Sequence, residues 1–259
     1  MFHGPQEVMG GLTIGDEACG VYLYGVIEIS ARVELSITGL YRVPVQVVPY
    51  RDLALVVSAL PRQELKPTRE LALAHERVIS SVMRHYPVVP MRFGVVARQG
   101  RPITNILVDN YTLLKQKVEQ IRNRVELGLK AFCLRDAFTS DIERADERIR
   151  RMKDLDATCL GQLVAEVADC KRREYVDRIY TPLSKSAVDS VLNEILTEHM
   201  VFNAAFLVSK GNVCAFEQLV HKLFIPHAGV LEYRYSGPWP PYNFCSMNLK
   251  ITCQGGVCP

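Results

Sequence analysis

Residues 201–235 read VFNAAFLVSKGNVCAFEQLVHKLFIPHAGVLEYRY, and this stretch decides the expected fold. Its two ends, Val201–Val208 and Val230–Tyr235, are short runs rich in β-branched and aromatic residues, as is typical of strands. Between them, Val213–Phe224 has the length and the apolar spacing of an amphipathic helix. The stretch therefore predicts the order strand, helix, strand.

The preceding residues extend this pattern. Val125–Phe132 alternates in part, with apolar residues on one side, and predicts another strand. From about Ser140 to His199 the spacing is helical, and Thr181-Pro182 is expected to break the run. The three apolar stripes of this region are Ile142, Ala145, Ile149 and Met152; Leu160, Leu163, Val164 and Val167; and Val188, Val191, Leu192 and Ile195. Residues 121–244 are therefore predicted to form a ferredoxin-like split βαβ sheet enlarged by extra helices.

The amino-terminal half has a second α+β pattern. Strands are expected at Val21–Ile27, at Val43–Val48 and Leu53–Ser58 on either side of a turn, and across Val88–Ala97. Helices are expected from a Thr68 cap to just before Pro87, and from Asn110 to Arg122. The fold class is thus α+β with two domains, the first spanning residues 20–120 after a flexible Gly-rich leader at 1–19.

The carboxyl tail, residues 245–259, carries one more strand signal. Ser246–Cys253 alternates, with Met247, Leu249 and Ile251 on one side. The tail is expected either to dock against the body as an extended strand or to fray. Both readings remain open at this point.

Composition excludes several function classes. The chain has 259 residues, of which 48% are hydrophobic and 23% charged, so it can bury a substantial core. Its formal net charge is only +3, unlike the strongly basic body of a dedicated nucleic-acid binder. No run approaches the roughly 20 apolar residues of a membrane span. Eight scattered cysteines in a chain of this size are typical of reduced thiols in the cytoplasm.

Motifs that carry common chemistry are missing from the sequence. No Gly-Lys pair of a phosphate-binding loop occurs, and no Cys-x-x-Cys pair of a zinc site. Cys214 and His221 could be drawn as a nucleophile and a base, but seven residues on one helix separate them by about two turns. No catalytic residue, cofactor or metal is therefore predicted.

The most unusual segment is Gly237-Pro-Trp-Pro-Pro-Tyr-Asn-Phe244. Its prolines exclude a helix and a central strand, and they hold the backbone extended. The single tryptophan is therefore held in a fixed direction beside further aromatic residues. These side chains either close the core of the second domain or form a rigid apolar patch for a protein partner. The candidate residues are Trp239, Pro240, Pro241, Tyr242 and Phe244.

Four blocks of the sequence resemble the gas vesicle protein F/L family. They are Tyr22-Leu-Tyr-Gly-Val26; His75–Val78 with Val89-Pro-Met-Arg-Phe-Gly-Val95; Val125-Glu-Leu-Gly-Leu-Lys130; and the Gly-Pro-Trp-Pro-Pro-Tyr block. They lie in order across residues 20–244. Of the four blocks, the last is the one that is specific to this family. Arg92 and Phe93, in the second block, are further candidates for partner binding or structure.

The resemblance implies a minor, non-enzymatic component of the gas vesicle within the cytoplasm. It also implies two α+β domains, the second ferredoxin-like. The implied partner is the very hydrophobic main shell protein, gas vesicle protein A, and other gas vesicle proteins are further candidates. The implied role is to keep that subunit from aggregating during vesicle nucleation. The alternative is an enzyme or sensor that binds a nucleotide or small molecule in vesicle biogenesis. The F and L types are not distinguished.

Overall fold

A computed structural model describes residues 18–61, 65–98, 102–134, 157–197 and 199–249. The chain forms two compact units, the first comprising the chain up to Arg122 and again from Pro240, the second comprising Asn123–Trp239. The second unit thus ends five residues before the predicted limit at 244, because the segment after Trp239 packs with the first unit. The predicted leader lies almost wholly outside the described residues.

The first unit is built on an antiparallel sheet. Its strands are β1 (Ala18–Glu28), β2 (Gln46–Tyr50), β3 (Leu53–Pro61), β4 (Val88–Pro90) and β5 (Val96–Arg98). The order is β2-β3-β1-β4, and β5 pairs with β1 as well. The predicted hairpin is present as β2 and β3, and the strand character expected across Val88–Ala97 takes the form of two short strands separated by a loop.

One helix covers each face of this sheet. Helix α1 (Arg69–Met83) begins after Thr68, whose side-chain oxygen accepts a hydrogen bond from the Leu71 amide at 3.3 Å, as the sequence predicts. Helix α2 spans Asn105–Ile121. Because side chains alternate along β1, Tyr22 packs in the core beneath α1 while Leu23 packs in the core beneath α2. The central strand is therefore buried on both sides.

The second unit is an antiparallel sheet with helices. Its elements are β6 (Arg124–Cys133), α3 (Ala157–Tyr175), α4 (Thr181–Ser186), β7 (Asp189–Asn193), β8 (Met200–Ser209), α5 (Val213–Phe224) and β9 (Leu231–Trp239). The strand order is β7-β8-β6-β9. Phe206 and Phe216, with ring centroids 5.1 Å apart, lie in the core that α5 forms with the sheet.

Two helix predictions in this unit are wrong. The stripe Val188, Val191, Leu192 and Ile195 is not a helix face, because β7 pairs with β8 and this ladder overrides the local spacing. Thr181-Pro182 does not break the helical run, which passes through a π-helical turn at Val176–Tyr180 into α4. Pro182 is tolerated there because it occupies the first turn of α4, where its missing N–H costs nothing. The stripe from Ile142 to Met152 lies outside the described residues.

The segment after Trp239 belongs to the first unit. Phe244 and Cys245 are buried, and Met247 and Leu249 pack against the core beneath α2. Residues 245–249 pair with no strand among the described residues, so the predicted strand is absent over the described part of the tail. Apolar packing of these side chains, and not backbone pairing with a strand, holds this part of the tail in place.

Candidate partner-binding surfaces

A buried histidine joins two of the four sequence blocks in the first unit. His75, on α1, is 3% exposed. Its Nε2 donates to the Met91 carbonyl oxygen at 3.0 Å, and its Nδ1 accepts from the Tyr22 hydroxyl at 2.9 Å. The Tyr22 oxygen in turn accepts from the Gly94 amide at 3.1 Å. One chain of hydrogen bonds therefore ties α1, β1 and the loop after β4 together.

The side chains of this cluster are buried, packed against one another and hydrogen-bonded. Desolvation by burial lowers the pKa of His75 and raises the pKa of Tyr22, so both are neutral near pH 7. Tyr24 contacts the His75 ring and hydrogen-bonds through its hydroxyl to Ser58 at 3.0 Å. Each ring has a packing partner and a hydrogen-bond partner, so the cluster fixes the core of the first unit.

A second polar cluster lies where α2 meets the end of β1. Lys115 Nζ donates to Glu28 at 2.6 Å and to Asp52 at 2.5 Å. Tyr111 donates to the same Asp52 carboxylate at 2.5 Å, and Arg122 pairs with Glu28 at 2.7 Å. Hydrogen bonds from Lys115 are the main cause that lowers the pKa of both carboxyl groups. The charges neutralise one another, so this cluster holds α2 on the sheet.

The aromatic and proline candidates are divided between the two units. Trp239 ends β9 in the second unit and is 43% exposed, with Glu126 as its ladder partner. Pro240 and Pro241 are buried in the first unit. The Tyr242 hydroxyl donates to Glu76 at 2.9 Å. The structure therefore does not combine these residues with Phe244 into one exposed patch, and Trp239 alone is displayed.

The remaining two candidates, Arg92 and Phe93, lie in the loop after β4. Arg92 is exposed and donates to the Ser246 hydroxyl at 3.2 Å. Phe93 is half-buried and packs edge-on against His75, with ring centroids 5.8 Å apart. Both contacts are internal to the first unit, where they hold the tail and the aromatic cluster.

The largest concentration of exposed apolar side chains lies elsewhere, at the edge of the second sheet. Four of the nine large apolar side chains exposed in the described part of the chain fall within nine residues: Val188, Leu192, Ile195 and Leu196, at 49, 46, 53 and 62% exposure. We call these four residues the apolar edge. β7 is the outermost strand on that side of the sheet. Sequence reasoning had assigned this stripe to a helix and missed the surface.

The apolar edge is held in place by polar contacts. Ser190 hydrogen-bonds to Tyr180 at 2.9 Å and to Ser184 at 2.8 Å, which fixes β7 to the helical layer. Beyond β7, the Asn203 side chain donates to the Glu194 carbonyl at 3.2 Å. These bonds secure the backbone on either side of Leu192, so the exposed side chains sit on an ordered support.

No group of three or more His, Cys, Asp or Glu side chains in the described ranges is arranged to hold a metal ion. Among those same residues, no helix is both long enough and apolar enough to cross a membrane.

The geometry defines a mixed helix-and-sheet protein with a neutral, hydrogen-bonded core and an apolar sheet edge. The chain belongs to the gas vesicle synthesis protein GvpL/GvpF family, which matches residues 20–246. It is 26% identical over 242 residues to gas vesicle protein F2 of Halobacterium salinarum, covering 91% of this chain and 97% of that relative. It is also 26% identical over 240 residues to gas vesicle protein F of Haloferax mediterranei, covering 91% and 98%.

A solved structure shares the fold. The crystal structure of the gas vesicle protein GvpF from Anabaena sp. PCC7120 superposes with a TM-score of 0.81 at 21% identity, covering 89% of this chain and all of that one. Family membership makes this chain a gas vesicle component, and the relatives are named as gas vesicle proteins.

Proposed function

We propose that this protein is a non-enzymatic assembly component that binds the hydrophobic shell protein of the gas vesicle, gas vesicle protein A, and keeps it from aggregating while the vesicle nucleates. The observation that carries the proposal is the apolar edge, Val188, Leu192, Ile195 and Leu196, in a chain of this family. A subunit that faces a gas space must present apolar surface before it assembles, and such surface aggregates in water.

The chemistry of the apolar edge suits transient cover of such a surface. A half-exposed leucine or isoleucine that becomes buried contributes about 1 kcal/mol, from about 25 cal/mol per Å² of apolar area. Four such side chains give an interaction of only a few kcal/mol, which is weak enough to release the subunit to the growing shell. The flanking charges, Lys185, Asp189 and Glu194, include both signs and keep the edge hydrated before binding.

We also infer that the two units are separate domains and that the second is ferredoxin-like. In chain order its strands are β6, β7, β8 and β9, and in space they run β7-β8-β6-β9 with antiparallel neighbours. A split βαβ arrangement has this order, with helices in the two crossovers. The π-helical turn and α4 are additions to that plan.

The proposal is tested by diluting denatured shell protein into buffer and following light scattering with increasing amounts of this protein. We expect the wild type to suppress scattering. Replacing Leu192, Ile195 and Leu196 by lysine should raise the amount needed at least about tenfold, since each lost apolar contact is worth about 1 kcal/mol. Co-sedimentation with purified vesicles measures association independently.

The matched control is Ile225→Lys, since Ile225 is 60% exposed in the same unit but directly follows α5 and is not part of the apolar edge. It should suppress scattering as the wild type does. If the wild type neither suppresses scattering nor sediments with vesicles, the proposed function is wrong. If the triple variant equals the wild type, the apolar edge is not the contact surface.

A further inference from the structure

A segment without regular secondary structure runs beside the edge of the first sheet. Residues 29–37 follow β1 and lie next to β2, which is the outermost strand of that sheet. At one end the Ile29 amide donates to the Asp52 carbonyl at 2.8 Å. At the other end the Val45 amide donates to the Ile37 carbonyl at 2.9 Å. The segment is therefore anchored at both ends as a neighbour of β2.

Between these two hydrogen bonds, the backbone of residues 30–36 is separated from the backbone of β2. Within the described part of the chain, residues 30–36 make no backbone hydrogen bond. Along β2, backbone groups alternate in direction, and the Val45 amide points outward to Ile37. The amide and carbonyl of Val47 and the carbonyl of Pro49 therefore point outward as well, into the gap. An unpaired strand edge of this kind is a template for another strand.

The gap is an open cavity of about 900 Å³, which we call the β2 slot. Its apolar lining includes Val33, Leu35, Val45 and Val47. Its length is set by the five residues of β2, or about 17 Å at 3.3 Å per residue. Five or six residues of extended chain fit that length.

We propose that the β2 slot binds an extended apolar segment of the shell protein by strand addition. The occupant's amide and carbonyl groups pair with the outward groups of Val47 and Pro49. Alternate side chains of the occupant contact Val33 and Leu35. The identity of the occupant rests on the proposed function, whereas the need for an extended chain follows from the unpaired backbone.

The charges at the slot favour an uncharged occupant. Arg32 and Glu34 form an ion pair at 3.3 Å, and Asp52 is paired with Lys115. Arg51 lies over the Tyr50 and Tyr111 rings at 5.3 and 5.0 Å. The charged residues that line the slot number two of each sign, so the lining has no net charge to attract an acidic or basic peptide, and apolar contacts and backbone pairing select the ligand.

Photo-crosslinking tests the location of the occupant. A benzoylphenylalanine introduced in place of Leu35 should crosslink to the shell protein when the two are mixed as in the scattering assay. The same group in place of Val108, an exposed side chain on α2 of the same unit, should not. Crosslinks between two copies of this protein at position 35 would overturn the proposal, because the occupant would then be a second copy.

A backbone variant tests the mode of binding. Val47→Pro removes the outward amide but leaves the ladder with β3, since proline is tolerated at a strand edge. Val47→Ala shortens the same side chain and keeps the amide. We expect Val47→Pro to require about fivefold more protein than Val47→Ala for equal suppression of scattering, the loss of one hydrogen bond. Circular dichroism confirms that both variants are folded.

The outcomes separate the two proposals. If the wild type suppresses scattering but position 35 gives no crosslink, the proposal that the β2 slot binds the shell protein is wrong, and the proposed function is unaffected. Equal behaviour of folded Val47→Pro and Val47→Ala overturns strand addition. Failure of the wild type both to suppress scattering and to sediment with vesicles overturns the proposed function and the occupant named here together.

Discussion

Replacing Tyr22 by phenylalanine tests the hydrogen-bond chain in the first unit. The hydroxyl that is lost donates to His75 Nδ1 and accepts from the Gly94 amide. Tyr22 is fully buried and His75 is 3% exposed, so the imidazole nitrogen is left with no partner and no access to water. Gly94 is exposed, so its amide turns to solvent at little cost. Removal of the Tyr22 hydroxyl therefore leaves one buried polar atom, His75 Nδ1, without a hydrogen bond.

The expected loss follows from that one atom. An unsatisfied buried acceptor costs about 1–3 kcal/mol, so we expect the free energy of unfolding to fall by about 2 kcal/mol. At a denaturant slope of about 2 kcal/mol per M, the urea midpoint should move down by about 1 M. Far-UV circular dichroism at increasing urea concentration measures the shift.

The matched control is Tyr86→Phe, since the Tyr86 hydroxyl makes no hydrogen bond among the described residues. It should leave the midpoint within about 0.2 M of the wild type, as is usual for a change that removes no interaction. In a His75→Leu background, Tyr22→Phe should cost at least about 1 kcal/mol less than alone, because the acceptor is already gone. Equal losses at positions 22 and 86, or full additivity with His75→Leu, would refute the reasoning.

Three further substitutions test other contacts of the first unit. Lys115→Met should destabilise by about 1 kcal/mol at pH 7, since the pair is partly exposed. Lys115 lowers the pKa of Glu28 and of Asp52 in the folded state, so this loss should shrink as the pH falls below the ordinary carboxyl range and vanish only once the pH is below the lowered folded-state pKa values. Gly39→Ala should cost about 1–3 kcal/mol in a urea titration, because its Cβ would overlap a buried tyrosine hydroxyl. Phe244→Ala should cost about 3–5 kcal/mol by the same titration, and an unchanged midpoint would show that the tail does not stabilise the unit.

Local chemistry predicted much of the fold. The cap at Thr68 and the apolar spacing that follows it specify α1, because both act within one or two helical turns. Val213–Phe224 is a helix with the predicted bounds for the same reason. The strands Val21–Ile27 and Val201–Val208 were recognisable from their composition, since long β-branched and aromatic runs suit few places other than a buried strand.

The candidate surfaces were less predictable. Pro240, Pro241, Tyr242 and Phe244 were expected either to close the core of the second domain or to form a patch with Trp239. The chain instead leaves the second unit after Trp239, and Tyr242 and Phe244 hydrogen-bond to residues more than a hundred positions away in sequence. The apolar edge was missed because its spacing suits a helix equally well.

The sequence alone determined the α+β class, the main helices and the family, because capping, periodicity and short motifs are local properties of the chain. Tertiary structure decided which apolar residues are exposed. Pairing of β7 with β8 converts an expected buried stripe into the apolar edge, and anchoring of residues 29–37 at both ends opens the β2 slot. Strand pairing joins residues far apart in sequence, so no local pattern encodes which backbone groups stay unpaired.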